Sequence, residues 1–165
     1  MNSLFGLPAH PFIVHAAVVL VPLAALGVIV LAVSSSARRK YSGLVVVLSA
    51  VAAGAAGLAS SSGEELLRHV EITDATSAHA RIGESGGAAG FAVLIAALVL
   101  FALQWSSKGG RRLSRTLVNV VLVLAVVAAG VATFQIARVG HTGAVSVWEG
   151  VANTPAHDVP GEDDK

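Results

Sequence analysis

The sequence predicts an all-α integral membrane protein, a four-helix up-down bundle with both termini outside and a short interfacial helix after the last span. Three observations predict it. Hydrophobic residues make up 55% and charged residues 13% of the 165-residue chain, where a soluble domain carries about 25% charged residues. Four apolar runs approach or exceed the roughly 20 residues needed to cross a bilayer. Seven of the eleven basic residues fall in two short loops, between runs one and two and between runs three and four.

Taken in order, the first run is "FIVHAAVVLVPLAALGVIVLAV", residues 12–33. It is not read as a cleaved signal peptide, because no Lys or Arg precedes it and the basic cluster follows it. Pro22 removes a backbone donor in mid-span and is expected to bend this helix. The second run, 43–59, is shorter and rich in small residues. The third covers 86–105 and the fourth 117–139. Continuous runs of this length read as helices rather than as alternating barrel strands.

Arg38, Arg39 and Lys40 form one basic loop; Lys108, Arg111, Arg112 and Arg115 form the other. The positive-inside rule puts both in the cytoplasm, and all ten acidic residues fall on the opposite side. Short loops make consecutive helices antiparallel neighbours. Between runs two and three, Ser62 with Glu65 reads as a capping box for a short helix through His69, and Asp74 or Thr76 as a cap for the third helix. After Gly140, the apolar spacing of Ala144, Val145, Val147, Trp148 and Val151 reads as the interfacial helix. Residues 1–152 thus form the transmembrane domain, and 153–165 a polar tail expected to be disordered.

The chain has no cysteine, and its only methionine is Met1, so sulfur ligation of a buried metal and disulfides are excluded. A net charge of +1 gives no case for nucleic-acid binding. No ionisable group stands at mid-depth in any run, which disfavours a pump, a proton channel or a transporter. Nothing resembles a Ser/His/Asp hydrolase or a P-loop, so a conventional enzyme is not expected. The six histidines, His10, His15, His69, His79, His141 and His157, all lie on the outward side of this topology.

His15 sits about one turn into the first helix, His79 where the third begins, and His141 directly after the fourth. These three ends share one pole, so their imidazoles are expected to converge on a haem or a metal ion. His10 and His15 are five residues apart and point roughly 140° from each other on a helix, so one compact site takes one of them. His15 is the expected ligand and His10 the cap or edge of the site. Below His79, Gly83, Gly86 or Gly87, and Gly90 share a helical face, which leaves room for a flat porphyrin or simply for close helix packing. Arg138 can meet a haem propionate or an acidic lipid headgroup, or snorkel at the bilayer edge. Glu64, Glu65 and Glu71 are candidate carboxylate ligands or a solvated loop face.

The stretches "HPFIVH", "SGEELL…SAHARIGE" and "GHTGAVSVWEGV" together resemble a bacterial membrane-protein family, the one catalogued as domain of unknown function 2231. The likeness runs from about Leu7 to Val151. It implies a four-helix domain in the bacterial cytoplasmic membrane with outward histidines, matched here by His10, His15, His79 and His141. Relatives fused to cytochrome c-like domains imply redox work at the outer face. The sequence departs from the pattern at Ala17, where the family usually offers proline.

The expected function is therefore a membrane-bound protein carrying haem b, held by two of His15, His79 and His141. It would transfer electrons at the outer face with a quinol or a cytochrome c-like partner. The competing expectations are a zinc or copper protein using His15, His79 and His141 as ligands, and a non-catalytic accessory subunit of a larger membrane complex.

Overall fold

In a computed structural model, the structure describes residues 3–4, 7–108, 113–148, 151 and 154. A two-residue antiparallel pair, β1 (Ser3–Leu4) with β2 (Leu7–Pro8), precedes four helices: α1 (His10–Val33), α2 (Ser35–Leu67), α3 (Asp74–Lys108) and α4 (Arg115–Trp148). All four helices are long and apolar enough to cross a membrane. The polar tail expected from residue 153 onward lies outside the described residues apart from Thr154.

Each helix outruns the apolar segment that announced it. The short helix expected over 62–69 is instead the last turns of α2, and the interfacial helix expected after Gly140 is the continuation of α4 through Trp148. Neither segment carries a proline or a buried break that would stop the preceding helix, so propagation costs less than a new nucleus. The cap of α3 also differs. Thr73, rather than Asp74 or Thr76, accepts the Thr76 amide on its hydroxyl at 3.2 Å.

The turns are tight. One residue, Ser34, joins α1 to α2, and its hydroxyl accepts the Ala37 amide at 3.2 Å. Arg38 folds back to donate to the Leu31 carbonyl at 2.6 Å and the Ala32 carbonyl at 3.2 Å, satisfying acceptors that the end of α1 leaves open. Ser114 caps α4 in the same manner, accepting from the Leu117 amide at 3.2 Å.

Burial runs opposite to that of a water-soluble bundle. The interior is built largely of small residues: Ala17, Ala24, Ala25, Ala52, Ala53, Ala56, Ala89, Ala96, Ala97, Ala125, Ala129 and Ala132, with Val21, Val28, Val93, Leu31 and Leu100 among them. Large side chains such as Leu23, Leu26, Leu44, Phe91, Ile95, Leu124 and Phe134 face outward. That is the arrangement lipid favours, because in hydrocarbon close packing rather than apolar burial holds helices together. The α2–α3 seam shows it most clearly. A Cβ on Gly90 would lie 2.9 Å from the Ala56 Cβ and 3.1 Å from the Ala53 Cα, and one on Gly87 would lie 3.1 Å from the Ser60 Oγ. Ser60 also donates across the seam to the Gly83 carbonyl at 3.1 Å. Neighbouring helices pack along their lengths, and α1 and α3 also meet across the diagonal. Pro22 is accommodated inside α1.

Two outcomes follow from this packing. Gly90→Ala drives a methyl into the α2 backbone and should cost about 1–3 kcal/mol, read as a lower midpoint in thermal or detergent unfolding. Ser49 is wholly buried and its hydroxyl has no hydrogen-bond partner among the described residues. Ser49→Ala should therefore leave stability unchanged or raise it by about 1 kcal/mol in the same assay.

Candidate functional site

The starts of α1 and α3 and the ends of α2 and α4 share one pole of the bundle, and the site is there. Two imidazoles meet at it. His10 opens α1 and His79 lies one turn and a half into α3, with ring centroids 6.5 Å apart and ring planes at 67°. Both rings are partly buried.

Each ring is held in the same way. The His10 Nδ1 lies 3.0 Å from the Ser62 Oγ on α2, and the His79 Nδ1 lies 3.2 Å from the Thr142 Oγ1 on α4. Both hydroxyls direct their own hydrogen at a carbonyl one turn back, Ser62 at Ala59 and Thr142 at Val139, each at 3.1 Å. A hydroxyl has one hydrogen to give, so while that hydrogen rests on the carbonyl it can only accept from the imidazole, which makes Nδ1–H the donor in both rings. Each ring also has a backbone hydrogen-bond partner, the Ala59 carbonyl for His10 and the Val139 carbonyl for His79. The residue after each hydroxyl is glycine. A Cβ on Gly63 would lie 2.9 Å from the His10 Cε1, and one on Gly143 3.0 Å from the His79 Cε1. Any side chain at either position would push the ring aside.

The convergence of His15, His79 and His141 expected from the sequence is not what the structure forms. His15 is exposed and donates from Nδ1 to the Pro11 carbonyl of its own helix at 2.6 Å. His141 is exposed on α4. His69, also exposed, donates to the Glu65 carbonyl at 2.9 Å, and His157 lies outside the described residues. The residue expected at the edge, His10, is the one that reaches His79. Among the described residues no group of three or more His, Asp or Glu side chains is placed to hold a metal ion, and Glu64 and Glu71 face solvent.

The glycines divide. Gly86, Gly87 and Gly90 are covered by Val139 and Ile136, by Ser60, and by Ala53 and Ala56 respectively, so these three serve helix packing. Gly83, one turn along α3 from His79, has no atom within 4 Å of where a Cβ would stand and borders open space. Arg138 is exposed, its guanidinium 5.9 Å from the Phe134 ring centroid and 3.4 Å from the Gln135 Oε1.

One family model matches residues 6–155, under the description of a predicted membrane protein, DUF2231. The chain belongs to this family. The match to DUF2231 takes in His10, His79, Ser62, Thr142 and both glycines. No curated protein and no solved structure matches the chain.

Four positions that the sequence reading did not assign to the site now belong to it: Ser62, Gly63, Thr142 and Gly143. A signal was present, since a hydroxyl residue followed by glycine occurs near the end of the helix after each of the two histidines. The two modes of holding an imidazole predict different costs. His10→Ala and His79→Ala each leave a hydroxyl without its partner and should cost about 1 kcal/mol. His15→Ala, at an exposed position, should stay within about 0.5 kcal/mol of the parent, with thermal unfolding in detergent as the measurement.

Proposed function

We propose that the chain binds haem b at the histidine pole, where His10 and His79 would hold it, and that it transfers electrons at the outer face of a bacterial cytoplasmic membrane. The observation that carries this reading is the pair itself: two imidazoles from facing helices with ring centroids 6.5 Å apart, each bonded at Nδ1 to a hydroxyl of the helix that follows its own.

Donor number favours haem over a bare ion. Zinc takes four ligands in a tetrahedron, and among the described residues two imidazoles converge. A haem brings four ring nitrogens and an iron that changes oxidation state, so two protein ligands complete its shell. The open side of α3 at Gly83 supports room beside the rings. A haem held by His10 and His79 would supply one-electron redox chemistry, the chemistry of electron transfer to a quinol or an external cytochrome c-like partner. The orientation rests on the basic loops, Arg38 to Lys40 and Lys108 to Arg115, which the positive-inside rule assigns to the cytoplasm.

Absorption of the purified protein, before and after haem loading, is the test. A Soret band is expected in the parent and in the His15→Ala and His141→Ala variants, and its loss in His10→Ala and His79→Ala. A parent without a Soret band after loading rejects the reading. Bound zinc or copper without porphyrin absorbance replaces it with a metal site, and intact partner assembly with no bound species replaces it with an accessory subunit.

A further inference from the structure

The site is built twice by the same device, and the likeness extends down the helices. Ala17, Val21, Ala24, Val28 and Leu31 follow His10 at the same intervals as Gly86, Gly90, Val93, Ala97 and Leu100 follow His79, and all ten are buried. On the partner helices, Val45, Ser49, Ala52 and Ala56 precede Ser62 at the same intervals as Ala125, Ala129, Ala132 and Ile136 precede Thr142, and all eight are again buried. Ala59 and Val139, the carbonyl partners of the two hydroxyls, hold matching places, as do Gly63 and Gly143. The α1–α2 hairpin and the α3–α4 hairpin therefore share this set of buried positions, while Ala25, Ala32, Ser42 and Ala53 in one and Gly87, Ala89, Ala96 and Val139 in the other are buried against half-buried counterparts. Both hairpins start from the same pole, so the relation is a rotation about an axis along the bundle. His10 and His79 meet where α1 and α3 face each other across that axis.

We propose that the chain is an internal two-fold repeat of one helical hairpin. In it, Ser62 and Thr142 are equivalent positioning residues that hold His10 and His79 as Nδ1–H tautomers, so that one electron-pair acceptor sits between two equal Nε2 atoms. The proposal rests on reading the His10–His79 pair as the ligand site. It adds the residues that set the protonation of each ring and the equivalence of the two halves. An isolated neutral imidazole can carry its proton on either nitrogen; the tautomer here is set by the acceptor that faces Nδ1, as it is for histidines whose outer nitrogen is fixed by a neighbour.

The test is made on the ligand-free full chain in lipid nanodiscs, so that it does not depend on haem. Nitrogen-15 spectra of labelled histidine, assigned with His10→Gln and His79→Gln, report which ring nitrogen carries the proton. Both rings are expected as Nδ1–H in the parent. Ser62→Ala should shift His10 alone toward Nε2–H, and Thr142→Ala should shift His79 alone. Ser62→Thr and Thr142→Ser should restore the parent spectrum, because a hydroxyl at either place serves. An Nε2–H tautomer for either ring in the parent overturns the proposal, even where an alanine variant fails to fold. So does an alanine variant whose ring is unchanged, or a hydroxyl exchange that loses the tautomer. A parent with both rings as Nδ1–H but no Soret band after loading rejects haem and leaves the positioning roles in place.

Discussion

Everything in this bundle depends on how closely its helices can approach. Lipid tails are as apolar as leucine, so burying apolar surface gives helices no reason to leave the bilayer for each other. Dispersion between well-packed atoms does, and it falls steeply with distance. The contact of Gly87 and Gly90 with Ala53, Ala56 and Ser60 brings α2 and α3 nearly backbone to backbone. Ile136 and Val139 fit against Gly86 on the next face of α3. With α3 gripped on two sides, its first turns are fixed relative to the ends of both α2 and α4, where Ser62 and Thr142 stand. The site is the upper rim of that packing.

Much of the fold could be read from the sequence because the bilayer imposes few solutions. Length and continuity of the apolar runs announce four helices, and the short basic loops announce antiparallel neighbours. Helix ends were less legible. Ser62 with Glu65, and the apolar spacing after Gly140, both fit a new short helix, yet each segment extends the helix before it. A capping pattern describes where a helix can start, not where the preceding one must stop. Ser34, Thr73 and Ser114 do the capping, and all three are inconspicuous among several hydroxyl residues.

The choice between His10 and His15 shows why the candidate site was only half legible. Helical geometry correctly sets the two on different faces. Which face turns inward was hidden, since α1 is apolar all round and offers no polar side to mark the lipid. A subtler mark existed: Ala17, Ala24 and Ala25 lie inward while Leu23 and Leu26 lie outward, and the buried stripe through Ala17 and Val21 runs back to His10. Ser62 and Thr142 were out of reach for another reason. They stand 52 and 63 residues from their histidines, and only the finished packing makes them neighbours.

The alanine-rich interior has one more consequence. Alanine and glycine carry no side-chain rotamers, so ordering them costs no side-chain entropy, and once packed they have no torsions left to readjust. Ala24, Ala25, Ala52, Ala97 and Ala129 are fully enclosed in this state. A core of leucines can absorb a perturbation by hopping between rotamers; this one has that freedom only at its few larger side chains, Leu31 and Leu100 among them. Such an interior holds the four helices, and the histidine pole at their end, in one arrangement with little side-chain give.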